Sequence, residues 1–476
     1  MRVPASLNVV PVAILLAAAP LPADVWPSFR GEGGRGVADA QSLPADWDVR
    51  TGRNVRFKTP IPGLGHASPV VWGDHVFLTT AVGAGDESLV LGDKGGTDRA
   101  TDSRPLSWRL YALHADDGRV LWQTEAFTGP PRSQRHVKAS QANATPATDG
   151  RTIVALFGSQ GLAAFDWNGR VLWRADLGTL NPGLFGDPTS EWGHASSPIL
   201  ADGRVFVQVD RHQDAFVAAF DLATGRRLWT VARDERTVWA TPLFHEAGGR
   251  KELVVAGGYY VRAYDPTDGH ELWRFKDDAE VKVPTPFVAG GLIVLAGGYR
   301  GRPLYALRAG ASGDISVAEK ATSSPFMAWR SEPGGPYTST PLAYDGRIYA
   351  VRDEGILMAY DLSTGALRYR ERTGATHSAS PVASDGRVFL ATEDGQVLVL
   401  KAGNDFEVVA RNDMGETVFA TPAIANHTLF VRTRGHLFGI AEGAALPPAR
   451  RGDPQQPLRE IQPKGLPSLS TAGSLL

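Results

Sequence analysis

The chain has 476 residues, no cysteine and a formal charge of −2. That length exceeds one ordinary core unless the core is repetitive. The lack of cysteine excludes a disulfide framework, a thiolate metal centre and an acylated lipoprotein cysteine. The near-neutral charge excludes the electrostatic footprint of a nucleic-acid binder, and abundant glycine (53) and proline (33) without long helical periodicity favour many short strands joined by turns.

In chain order, Arg2 precedes an apolar run from Val9 to Ala19, with small residues leading to a cleavage point after Ala19 or Ala23. Residues 1–23 read as an export signal, the run being too short to span a bilayer. A periplasmic or secreted protein is expected, with no transmembrane segment once the signal is removed. Residues 24–54, containing "WPSFRGEGGRGVADAQSLPADWDVR", are Gly-rich and irregular and read as an extended strap.

From there a Ser/Thr-Pro dipeptide, followed by apolar residues and a turn, recurs at Pro69, Pro146, Pro198, Pro242, Pro286, Pro341, Pro381 and Pro422. Most spacings approach the period of propeller blades. The residue two before each proline is small in most copies (Ala67, Ala144, Ser196, Ala240, Ser339, Ala379, Ala420; Pro284 stands in the fifth), as inner strands crowded around an axis require. Each unit continues through further strands to an Asp/Gly turn such as "DLATGRRLW", where Asp caps turn amides and Gly takes positive φ. A large ring follows at Trp122, Trp173, Trp229, Trp273, Trp329 and Tyr369, with Val409 in the seventh unit, and these rings are expected to pack between adjacent blades.

The eighth unit has three strands, whereas "NVRFKTPIPG" is an orphan strand whose Phe57 lies 12 residues before Pro69. The prediction is therefore an all-β, eight-bladed propeller of four-stranded antiparallel blades over residues 55–446. The N-terminal strand completes the last blade and removes the open edge. Residues 447–476, Pro-rich and weakly hydrophobic, read as a disordered tail.

The Asp-x-x-Thr-Gly-x-x-x-Trp pattern, as in Asp221 to Trp229, resembles the pyrroloquinoline-quinone (PQQ)-type propeller repeat over about residues 55 to 441. "WPSFRGEGGRG" and "GHASPVVWGDHVFLTTA" look most like exported bacterial members without assigned chemistry. The resemblance implies two outcomes: quinoprotein alcohol dehydrogenases, which use the quinone with calcium, and non-catalytic propellers such as the scaffold lipoprotein of the outer-membrane barrel-assembly machine. This chain lacks the adjacent cysteines of the former and the lipid-bearing cysteine of the latter.

Long insertions at 81–107, 124–142 and 176–195 belong to the first three units and should cluster over one side of one channel mouth. They carry Arg135, His136, Lys138 and Asn143, then Glu191, Trp192 and His194, a set suited to a polar or anionic ligand. The structural alternative pairs Arg135 and Lys138 with Asp187 and Glu191. Residues entering the inner strands add His66, Trp239, Lys282, Tyr337, His377 and Phe419. His66, His194 and His377 share one phase, but blades one, three and seven are too far apart for them to hold one metal, and strand caps are expected instead. The leading reading is a monomeric scaffold that binds a protein partner or small polar ligand through the insertion-bearing face. The alternatives are a divergent quinone-dependent oxidoreductase, with Asp187 or Glu191 as base and PQQ with calcium as cofactor, and a carbohydrate-active propeller.

Overall fold

The computed structural model describes residues 25–446 apart from 84–88, 93–95, 185–186, 188, 278, 280, 300–302, 319 and 333. The export signal and the C-terminal tail expected from the sequence lie outside the described residues. Eight antiparallel blades follow one another over 70–129, 147–175, 199–233, 243–276, 287–331, 342–372, 382–413 and 423–445. The eighth takes its outer strand from Arg53–Pro60, which pairs with His436–Ala445 and places Phe57 opposite Gly439. The fold is the eight-bladed propeller that the repeats predict, closed by its N-terminal strand.

Two repeated devices join the blades. The outer-strand rings stand over an alanine on the third strand: Trp173 pairs with Ala164, Trp229 with Ala219 and Trp329 with Ala306. The Trp173 indole donates to the Leu222 carbonyl of the next blade at 2.9 Å, and Trp329 to Leu362 at 2.9 Å. The glycine of the neighbouring turn must lie under each ring. A Cβ on Gly225 (φ +71°) would stand 2.5 Å from Trp173. Phe57 occupies the same position over Gly118 and seals blade 8 to blade 1. In blade 7 the register places Ala410, not Val409, in this column, opposite Val399. Trp273 differs too, since its indole donates to the Glu252 carboxylate of its own blade at 3.0 Å.

The second device explains the Ser/Thr before each repeat proline. The Ser68 amide donates to the Thr145 hydroxyl, Thr145 to Ser197, Ser197 to Thr241, Thr241 to Thr285, Thr285 to Thr340, Thr340 to Ser380 and Ser380 to Thr421, all between 2.9 and 3.1 Å. Proline occupies the next position, so the hydroxyl of one blade serves the last amide before it in the blade preceding. These side chains ring the axis and tie neighbours together where most inner strands are only two or three residues long.

The strap closes one end of the channel. Val25–Trp26 pairs with the inner strand of blade 1, the Pro27 carbonyl accepts the Thr148 amide, and Val37 bridges to Ala383 of blade 7. Between them the buried Arg30 guanidinium donates to the carbonyls of Thr340, Pro341 and Pro381 on blades 6 and 7, and to Gly34 and Arg35 of its own loop, at 2.8–3.2 Å. Burial lowers its pKa to about 9, so it stays charged at neutral pH, held by backbone carbonyls and lying over the Phe287 ring. Clefts of about 790 and 500 Å³ flank the strap on this floor face.

At the closing seam, Arg432 of blade 8 donates from Nη1 to the Thr79 carbonyl of blade 1. Its Nε and Nη2 have no partner, and burial lowers its pKa to about 9 as well.

Candidate functional site

In every blade the turn between strands two and three, and the link to the next blade, open on the end opposite the strap. The insertions therefore gather at this mouth, starting after Gly83, Gly129 and Ala175, where the preceding strands end. They interlock before they can do anything else. Arg99 and Ala100 pair with His136 and Arg135 in a two-stranded ladder. The Trp192 indole donates to Thr97 and the Gln134 amide to the Glu191 carboxylate.

The ion pairs differ from the sequence expectation. Arg135 is buried against Asp102 at 2.8 Å, and Lys138 reaches across the mouth to Glu393 of blade 7 at 2.7 Å. Asp187 instead caps the Thr189 amide and hydroxyl in its own turn, and Glu191 serves the Gln134 amide. The cations expected to bridge the second and third insertions thus bind partners in the first insertion and in blade 7, while Glu191 ties the third insertion to the second through a backbone amide. Glu393 also accepts the Gly92 amide and the Ser378 hydroxyl, so one buried carboxylate pins both the first and second insertions to the far wall.

The other predicted positions line the mouth without converging. His194 is buried, donates from Nε2 to the Ser196 carbonyl, and burial depresses its pKa to about 4. His377 is clamped between the Ala391 carbonyl and the Thr373 hydroxyl. His66 lies against Phe419, and burial, with Arg432, Arg135 and Arg434 nearby, lowers its pKa to about 3. His136 takes the Lys138 amide on Nδ1 and donates from Nε2 to Gly96, and burial lowers its pKa. The three in-phase histidines are neutral and separately engaged. Asn143 accepts the Ser140 amide and hydroxyl. Trp239 donates to the Gly193 carbonyl at 2.7 Å and stacks on Trp192, and Lys282 is buried in an ion pair with Asp277.

Tyr337 is half-buried near the axis, its ring 5.2 Å from that of Tyr299 on the rim. Burial and the Asp353 carboxylate raise its pKa, so the hydroxyl keeps its proton. Asp353 and Glu393 were missed by the sequence reading. Both sit just after the second strand, in "RDEG" and "TEDG", the phase that holds Asp210 in blade 3. That shared phase was the available signal. Asp210 is spent on a buried pair with Arg233 at 2.8 Å. Asp353 accepts the Thr338 amide at 3.2 Å, and burial lifts its pKa to about 6.

With this geometry in place, the comparisons acquire meaning. A family model described as outer membrane protein assembly factor BamB matches residues 87–187, 109–326 and 311–441. The chain belongs to this PQQ-type propeller family. No curated protein matches its sequence. Among solved structures, the quinohemoprotein alcohol dehydrogenase of Comamonas testosteroni superimposes with a TM-score of 0.60 at 13% identity, covering 90% of this chain and 82% of that one. A europium-containing methanol dehydrogenase gives 0.56 at 12% identity, with 89% and 90% covered. BamB from Moraxella catarrhalis gives 0.51 at 14% identity, with 77% and 98% covered. At these identities the likeness is one of fold.

A quinone held by a cation would need a convergent set of carboxylates or imidazoles. Among the described residues no three His, Asp or Glu side chains come together as such a set. Asp187 and Glu191, the carboxylates suited to act as base, are committed to backbone amides. The described side chains do not supply such a set.

Proposed function

We propose that the protein is an exported scaffold that binds a protein partner through its insertion-bearing face. The observation that carries this reading is the use made of charge at the mouth. Arg135, Lys138, Lys282 and Arg233 are each paired with a carboxylate, so the ionisable groups hold the face rigid. Aromatic surface remains for contact: the half-buried Trp192, backed by the buried Trp239, and Tyr299, which is 39% exposed. Rigid aromatic rings among satisfied polar groups characterise the energetic centre of protein interfaces. Family membership supports the same reading, since the family model takes its description from an assembly factor.

The test is site-specific photo-cross-linking in intact cells, with the reactive side chain at Trp192 or at Leu367 on the outer strand of blade 6. Discrete adducts from position 192 and none from 367 are expected. The reverse pattern, or no adduct at either position, overturns the assignment of the face.

A further inference from the structure

Three buried arginines show what an enclosed guanidinium needs. Arg30 has five carbonyl acceptors and Arg135 has Asp102. Arg233 holds Asp210 side-on, Nε to Oδ1 at 2.8 Å and Nη2 to Oδ2 at 3.1 Å. Arg432, at the seam between blades 8 and 1, is 2% exposed, yet its bonded nitrogen is Nη1 alone, on the Thr79 carbonyl. Nε and Nη2 are buried without a partner. Those two N–H groups share one edge of the guanidinium, the edge by which Arg233 grips its carboxylate.

The surroundings add cations and no anion. Among the described residues no carboxylate acts on Arg432; the group that does is Tyr111. Twelve positions after the repeat proline, blades 3, 6 and 7 carry Asp210, Asp353 and Glu393, whereas blade 8 carries Arg434. Gly65 passes so close that a Cβ there would stand 2.7 Å from Arg432 Nη2 and 2.8 Å from the Thr79 carbonyl, so only glycine lets the link lie over this edge. His66 follows. Burial, and then the charges of Arg432, Arg135 and Arg434, hold its pKa near 3, and its buried Nε2 also has no partner. A charge enclosed in this way is costly unless it is paired and its hydrogen-bonding edge is filled.

We propose that the Nε–Nη2 edge of Arg432 is a binding site for one carboxylate group, held by two parallel N–H···O bonds. The inference goes beyond the scaffold reading, because it assigns a ligand to the seam whether or not a partner docks on the insertion face. The edge is shut off from solvent beside the Gly65 link, so the occupant is small, a free short-chain acid such as formate or acetate. A glutamate side chain of a partner presents the same group. The carboxylate offsets the guanidinium charge and completes its hydrogen bonding, as Asp210 does for Arg233. It also neutralises the charge acting most on His66, whose imidazole resonances therefore report occupancy.

The test is titration of the full chain, in methanesulfonate buffer at fixed ionic strength, with formate, acetate, a blocked Gly-Glu-Gly peptide and chloride, read by calorimetry and by the His66 resonances. Saturable one-to-one binding of formate or acetate is expected with a midpoint below about 10 mM, weakened about tenfold or more by Arg432→Met. Arg432→Lys keeps the charge but not the fork and should weaken binding nearly as much; it carries the test if Arg432→Met does not fold. Binding of the free acids identifies a small-molecule ligand, and binding of the peptide alone identifies a partner's side chain. Chloride bound as tightly as formate, equal affinity in Arg432→Met, or no saturation by any probe at about 100 mM overturns the site. If that happens while position 192 still cross-links, the carboxylate site falls and the scaffold reading stands.

Discussion

At the floor of the channel Arg30 is held by backbone carbonyls and the Phe287 ring, whereas at the roof Lys138 reaches a carboxylate. Both cross-channel contacts join distant parts of the ring, but they answer to different conditions. Backbone carbonyls do not titrate, are fixed by the inner strands and are little affected by salt, so the floor is a permanent closure. The roof depends on Glu393 as a common acceptor for an amide, a hydroxyl and an ammonium. Loss of its charge loosens three attachments together. Closure that must persist is built from backbone; closure that can yield is built from side chains.

The sharpest way to break this comparison is at the floor. Arg30→Met leaves five carbonyl contacts without their donor, and a loss of about 3–5 kcal/mol is expected. Chemical denaturation reads the loss, and hydrogen exchange should show residues 25–38 opening before the blades. A strap as protected as in the parent would mean that Val25–Trp26 and Val37 hold it unaided. At the roof, Glu393→Gln should cost less, about 1–3 kcal/mol, because Lys138 is part-exposed and can rehydrate. Its exchange signature should be confined to residues near Gly92 and Lys138.

Asp353 reverses the sign. Its pKa in the folded protein, about 6, lies above the usual 3.8, so folding favours the protonated form. Stability from this group is fully present below about pH 4 and is lost as pH rises through 6. Asp353→Asn should therefore raise the melting temperature at pH 8, by the equivalent of about 1–2 kcal/mol, with the gain fading to nothing near pH 4. The smallest effect is expected at Arg432. It is as buried as Arg30 and its pKa is lowered equally, but it has one acceptor and two unpartnered nitrogens. Arg432→Met should be neutral or stabilising by about 1 kcal/mol. A large loss there would show that burial alone, and not saturation, decides what a guanidinium contributes.

The blades were legible in the sequence because each is written locally: a Ser/Thr-Pro entrance, an Asp/Gly turn and a ring, all within one repeat. The closing strand was legible by the same rule, from the distance between Phe57 and Pro69. What crosses the channel was not. Lys138 and Glu393 are 255 positions apart, and Arg30 and Pro381 351 apart, with nothing in the repeat pattern to link one member to the other. The hydroxyl ring hid in plain view, because the Ser/Thr column served to align the repeats while its bonding partner lay one blade away. The candidate residues were sought at the strand entrances, where most side chains prove to be caps and fillers. Asp353 and Glu393 instead lay in two-to-three turns.

The pairing of Phe57 with Gly439 also has a kinetic meaning. The clasp strand is made before seven whole blades, and its partner only after them. Until synthesis has delivered residues 436–445, the closing strand waits with unpaired amides and carbonyls, and seven blades form an open arc with an exposed flank. The ring is thus sealed by its longest loop closure, at the end of folding. A chain cut short within the last blade would leave both flanks of the arc open to pairing with another copy.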